Sequence, residues 1–191
     1  MNYLKKIKYN SPVILSFTFL SFLVLILGYL TAGISTNLLF CVYKSSPLDP
    51  LFYIRLFTHV LGHADWQHFL NNFMLILLVG PMLEEKYGTK KLLGMIVFTA
   101  FITGLMNIIF FNTALLGASG IAFMMILLSS FVNIKQGGIP LTLILVAAAY
   151  IGNEIISGLI SQDNISQLTH IIGGICGCGL GFIMNKKRPT S

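Results

Sequence analysis

Residues 112–133 read NTALLGASGIAFMMILLSSFVN, and the fold turns on where a helix can begin in that run. From Ser119 to Asn133 it is 15 residues long and largely apolar. At 1.5 Å per residue such a helix reaches about 22 Å. A bilayer's hydrocarbon core is about 30 Å thick. If the inner end lies at the surface near Lys135, the outer end starts below the opposite surface. Residues 112–118 must then enter the bilayer without being helical. Backbone of that kind is tolerated only inside protein or beside a water-filled cavity.

Composition puts that run in a membrane. The chain has 191 residues, 55% of them hydrophobic and 9% charged. A soluble domain carries about 25% charged residues, so this chain could not clothe a water-facing surface. Its length suits a single domain spanning 1–191. Long apolar stretches without alternation select helices over a barrel. Six qualify, at 12–33, 67–83, 91–111, 119–133, 139–160 and 168–185. The expectation is an all-α polytopic membrane protein, a six-helix bundle. The first stretch follows Lys5, Lys6 and Lys8 but is longer than a signal-peptide core, and is read as a retained helix.

Charge placement orients the bundle. With both termini inside, ten of the twelve Lys and Arg residues lie in inner segments; only Lys44 and Arg55 lie outside. That is a strong positive-inside bias. The net charge of +6 is accounted for by orientation and anionic lipid headgroups, so nucleic acid is not an expected partner. Cys176 and Cys178 stand two apart on a helix, point to different faces and read, with Cys41, as packing residues. No cofactor is implied.

The longest segment without a spanning pattern is the first loop, about 34–66, which contains STNLLFCVYKSSPLDPLFYIRLFTHVLGHAD (35–65). It is read as non-helical. Leu38, Leu39, Phe40, Leu51, Phe52, Tyr53, Leu56 and Phe57 ask for burial, placing the loop partly in the outer leaflet against the bundle. Asp65 suits the N-cap of the second long helix.

Polar groups inside a membrane are costly and are functional candidates by default. Ser119 opens the fourth stretch in a Gly-x-Ser-Gly setting. A helix N-terminus there favours developing negative charge. His170 lies in THIIGGICGCGLGF (169–182), on one stripe with Gly173, Gly177 and Gly181. Glycines at that spacing let a neighbouring backbone come close. If the neighbour is the start of the fourth helix, His170 arrives beside Ser119 and can take its proton. His68 and Asn72 are four apart on one face of the second long helix. Two converging donors suit an oxyanion hole. Asn71 lies about 100° away around the helix and is the weaker choice.

HFLNN (68–72), GASG (117–120) and HIIGGICG (170–177), in this order and depth, resemble the rhomboid intramembrane proteases. The resemblance covers nearly the whole chain, with the six-helix count, orientation and long first loop in keeping. It implies a serine endopeptidase that cuts transmembrane protein substrates with a two-residue dyad, Ser119 as nucleophile and His170 as base, and no third acid. It also implies that His68 and Asn72 bind the oxyanion with the Ser119 backbone N–H. The family often has Trp-Arg in the first loop; here Arg55 follows Ile54. Phe123, one turn after the serine, can stack on the histidine but cannot hydrogen-bond. Glu84 matches an acidic position and is read as structural. Short length and no added domain point to a bacterial inner membrane.

His59 and His63, four apart in the first loop, could suggest a metal, but no cysteine or carboxylate cluster completes a site; structural hydrogen bonding is expected. Glu154 beside Asn153 is read as a hydrogen-bonded carboxyl rather than a proton relay. Two other functions compete. One is an inactive rhomboid-like protein that binds membrane-protein clients, against which stands the presence of both Ser119 and His170. The other is a small transporter, against which stands the lack of two-fold internal symmetry.

Overall fold

The computed structural model describes residues 8–132, 139, 141–160 and 164–186. The side chains at 150, 151, 153–160, 164–166 and 186 are outside that description, as are Asn133, Lys135 and the chain ends. The fold is all-helical. It runs α1 (Pro12–Leu30), α2 (Ile34–Leu39), α3 (Pro50–Thr58), a 3₁₀ turn (His59–Leu61), α4 (Trp66–Tyr87), α5 (Thr89–Phe110), α6 (Ser119–Ser129), α7 (Leu141–Ile160) and α8 (Asn164–Lys186).

Among the described residues, three helices are long and apolar enough to cross a membrane: Pro12–Leu30, Thr89–Phe110 and Gln167–Asn185. Three of the six expected spans therefore meet that criterion. The outer surface is apolar in keeping with lipid, with Leu23 60%, Met74 70%, Leu78 77% and Leu30 79% exposed. A water-soluble monomer rarely exposes so broad an apolar surface.

α6 sits at the centre. Every residue from Gly120 to Leu128 is buried, as expected for a helix apolar on all sides. α4, α5 and α8 pack around it. The helix is 11 residues long, shorter than expected, and turns at 130–132 continue the chain below it. Its lower end is tied down from two sides. The Lys86 ammonium donates to the Val132 carbonyl, and Asn185 Nδ2 donates to the Phe131 carbonyl at 3.5 Å.

Other boundaries shift for local reasons. α1 stops at Leu30 rather than residue 33 because Ala32 and Gly33 take positive φ, 49° and 84°, and turn the chain into α2. α4 runs past residue 83 to Tyr87, because its charged end has partners. Glu84 Oε1 and Oε2 accept from the Val13 and Ile14 N–H groups at 3.0 and 3.1 Å. A carboxylate thus caps the buried start of α1, the structural role expected of it.

The first loop corrects the reading of a non-helical segment, since α2, α3 and the 3₁₀ turn all lie in it. Asp49 caps α3 through Leu51 N–H at 3.0 Å. Arg55 is 3% exposed and holds this region together. Its Nε donates to the Leu38 carbonyl at 2.8 Å, and Nη1 meets Asp49 Oδ2 at 3.2 Å. The guanidinium also lies 4.6 Å over the Tyr43 ring. Leu56 is buried, and Leu39, Phe40, Leu51 and Phe52 are half-buried. Leu38, Tyr53 and Phe57 are exposed instead, so their apolar side chains face outward from the protein.

Candidate active site

The chain between α5 and α6 enters the bundle as irregular backbone. Its polar groups are paired as it goes. Leu115 and Val42 exchange both backbone bonds, at 2.8 and 2.9 Å. Asn107 Nδ2 donates to the Thr113 carbonyl at 3.0 Å, and the Gly117 N–H donates to the His59 carbonyl at 3.0 Å. The Ala118 N–H donates to His63 Nε2 at 3.4 Å. This meets the demand that buried backbone be satisfied. α6 then starts at Ser119 with no side-chain cap. The amides of its first turn are not spent on a capping group and remain able to bind negative charge.

α8 reaches α6 through its glycines. A Cβ on Gly173 would collide with the Gly120 carbonyl, and one on Gly177 with the Met124 carbonyl. One on Gly181 would meet the Phe131 ring. The first two contacts step four residues along each helix, and Gly181 then meets Phe131 just beyond the end of α6, so α6 and α8 run parallel. One turn before Gly173 lies His170, which places it at the Ser119 end of the pair. The Phe123 ring stacks on the His170 ring, centroids 4.3 Å apart and 5° from parallel. Phe123 is four residues after Ser119, on the same helix face.

α4 supplies the third wall. The Asp65 carboxylate caps it, accepting from the His68 N–H at 2.8 Å. His68 and Asn72 converge on Gly117, two residues before Ser119. A Cβ on Gly117 would lie 2.6 Å from His68 Nε2 and 3.8 Å from Asn72 Nδ2. Gly117 also has φ of +125°, a conformation that L side chains rarely adopt. Asn72 is buried, whereas Asn71 is exposed and pairs with Gln67 at 2.7 Å. Among the described residues, Asn72 Nδ2 is buried without a hydrogen-bond partner. An orphan donor in a well-packed protein calls for a reason, and its position beside the start of α6 offers one.

His59 and His63 make the hydrogen bonds expected of them. His59 Nδ1 pairs with the Arg55 carbonyl at 3.2 Å and Nε2 with Thr103 Oγ1 at 3.3 Å. His63 Nδ1 donates to the Leu61 carbonyl at 3.2 Å, which leaves Nε2 as the acceptor for Ala118. Burial pushes both histidines down to about 4, with His68 adding to the effect at His63. Both are therefore neutral imidazoles at physiological pH. Among the described residues, no group of three His, Cys, Asp or Glu could hold a metal. A cavity of about 400 Å³ lies between α1, α2 and the 63–64 backbone, lined in part by Thr36, Asn37, His63 and Leu116.

The sequence compares with known proteins in the same sense. Residues 51–187 match the rhomboid domain family. The chain belongs to the rhomboid family. It is 28% identical over 145 residues to the rhomboid protease GlpG of Haemophilus influenzae, covering 72% of each chain. It is 25% identical over 185 residues to rhomboid protease GlpG of Salmonella typhimurium, covering 91% of this chain and 65% of that one. The match thus spans just under two thirds of the Salmonella relative. This rhomboid family member is a membrane protein with bacterial relatives.

The structure brings together the Ser119 end of α6, His170, His68 and Asn72, with Phe123 stacked beneath. The Glu154 side chain lies outside the described residues. Sequence reasoning singled out His63 only for structural hydrogen bonding and missed its link to the serine-bearing turn. The signal in the sequence is the spacing of His59 and His63, four residues apart in the first loop, which by itself raises only the question of a metal or a structural hydrogen bond.

Proposed function

We propose that this rhomboid is an intramembrane serine endopeptidase that hydrolyses peptide bonds in or near transmembrane segments of other membrane proteins. The observation that carries the reading is the convergence on Gly117 of His68 and of Asn72 Nδ2, which has no partner among the described residues, beside the uncapped start of α6, whose Phe123 stacks on His170. The relatives' protease names support it.

In this reading Ser119 Oγ attacks the scissile carbonyl while His170 takes its proton. The tetrahedral oxyanion is held by Asn72 Nδ2, His68 and the Ser119 backbone N–H. Each such donor is worth about 10²–10³ in rate. His170 then gives the proton to the leaving amine, and a water molecule repeats the sequence to release the acyl group. Phe123 holds the imidazole plane by stacking, a contact worth about 0.5–1.5 kcal/mol. No third acid is needed to orient a ring held in that way.

The same reading takes residues 1–191 as one six-span domain with both termini cytoplasmic, in a bacterial inner membrane. Three helices long and apolar enough to span, and the positive-inside count, support it. Its partners are transmembrane substrates and the surrounding lipid. The test is cleavage of a transmembrane substrate by purified protein in liposomes. Turnover that is lost in Ser119→Ala supports the reading; equal turnover by both proteins rejects it.

A further inference from the structure

His63 stands between the two halves of the site. Its Nε2 accepts from the Ala118 N–H, the peptide directly before Ser119. Its ring meets the His68 ring edge-on, centroids 5.0 Å apart. Phe69 at 5.5 Å and Phe73 at 5.6 Å also pack against it. The ring is also anchored from below, where Nδ1 donates to the Leu61 carbonyl. The backbone there is tightly placed: the Gly62 N–H donates to His59, and a Cβ on Gly62 would collide with the Phe40 carbonyl. Ala118 itself is fully buried, and its N–H takes His63 Nε2 as its partner.

We propose that His63 is a positioning residue of the active site: by accepting the Ala118 N–H it sets the orientation of the 117–119 backbone, and by packing edge-on against His68 it keeps that backbone in register with the oxyanion donors. The proposal rests on the reading of Ser119 as nucleophile. Both ring nitrogens of His63 are already engaged, one as donor and one as acceptor, so neither is left to move a substrate proton. Its effect passes through the peptide it holds. Leu115, Gly117 and Ala118 all give their N–H groups to the first-loop region, and the His63 bond is the last of these before α6 begins. Losing it frees the segment whose placement decides where Ser119 points.

The experiment uses the full chain, purified into liposomes, with two readouts. One is kcat and KM on a fluorogenic transmembrane peptide. The other is the rate at which a fluorophosphonate probe labels Ser119, which depends on the serine and its surroundings without needing the peptide. His63→Phe keeps a ring among Phe69 and Phe73 but has no acceptor. His63→Gln places a carbonyl oxygen the same number of bonds from Cα as Nε2, and His63→Asn falls one carbon short. A misplacement of about 1 Å costs roughly 10²-fold. His63→Phe is therefore expected to lower kcat and labelling by roughly 10- to 100-fold at unchanged KM. His63→Gln is expected to recover most of both, and His63→Asn to recover little. Wild-type rates in His63→Phe, or equal losses in His63→Phe and His63→Gln, overturn the proposal. Should His63→Phe not fold, equal rates in His63→Gln and His63→Asn overturn it. Labelling that persists in Ser119→Ala overturns the nucleophile assignment and this proposal with it. Labelling lost in Ser119→Ala but unchanged in His63→Phe overturns the proposal alone.

Discussion

The Phe123 ring lies flat against the His170 ring, 4.3 Å between centroids and 5° from parallel. This joins the central helix to α8 at the level of the candidate site. It gives the imidazole one plane of rotation without a hydrogen bond from the stacking partner. Phe123→Leu keeps apolar volume but removes the flat face. Aromatic pairing is worth about 0.5–1.5 kcal/mol, so kcat is expected to fall by roughly 2- to 10-fold with KM held. Phe123→Tyr keeps the stack and is expected to remain active. Steady-state kinetics on the three proteins decide the matter, and an unaffected Phe123→Leu would show that the ring does not orient His170.

Ser119→Ala and His170→Ala are each expected to abolish cleavage while the protein inserts and unfolds at a near-normal temperature. Neither change deletes a buried apolar group. Single-turnover assays free of host protease, paired with thermal unfolding, are the measurement. Residual turnover near wild type in either variant would remove that residue from the dyad.

Asn72→Ala removes an amide donor that has no partner among the described residues in the resting protein. Its loss should cost little stability, because no hydrogen bond is broken. The oxyanion exists only once the carbonyl is attacked, so the change should act on kcat rather than KM. The expected fall is about 10²-fold, smaller than that of Ser119→Ala, because His68 and the Ser119 N–H remain. The effects of Asn72→Ala and His68→Ala should be non-additive, since both donors serve one charge. A kinetic double-mutant cycle reads this directly; a rise in KM at constant kcat would recast both as substrate-binding groups.

The α6–α8 contact predicts an unusual sensitivity to a single carbon. A Cβ at Gly173 or Gly177 meets a backbone carbonyl of α6 and not a movable side chain. Gly173→Ala and Gly177→Ala should each destabilise by about 1–3 kcal/mol, the usual cost of overpacking. Gly179, whose added Cβ meets nothing within 4 Å, is the control. Leucine at 173 or 177 should also lower activity by moving α8 away from Ser119. Unfolding midpoints equal to that of Gly179→Ala would contradict the packing.

Glu84 lies far from this chemistry and separates stability from catalysis. Its carboxylate accepts from two N–H groups at the buried start of α1. Hydrogen bonds to a charged group contribute about 1.5–3 kcal/mol. Glu84→Ala should lower stability by at least that much, and Glu84→Gln by less. Both should keep normal kcat below the unfolding transition. A specific loss of kcat in well-folded Glu84→Gln would mean that α1 placement reaches the active site.

The sequence by itself determined the helical class, the polar candidates and the broken approach to Ser119. These depend on local quantities: run length, hydropathy and the cost of polar groups in lipid. The run from Ser119 is too short to span, and the glycines at 173, 177 and 181 mark one helix stripe whatever they touch. The capping role of Asp65 was likewise legible, because a cap involves only neighbours in the chain. Tertiary structure alone decided which surface received the stripe, and that His68 and Asn72 converge on Gly117. It also turned the first loop into α2 and α3, whose short helices depend on Arg55 reaching Leu38 and Asp49. α4 outlasts its charge run because Glu84 and Lys86 find backbone partners 70 and 46 residues away. His63 is the clearest case. Its neighbours in the sequence say nothing of Ala118, 55 residues on. A hydrogen bond across such a distance exists only when packing brings donor and acceptor together, so no local pattern could encode it.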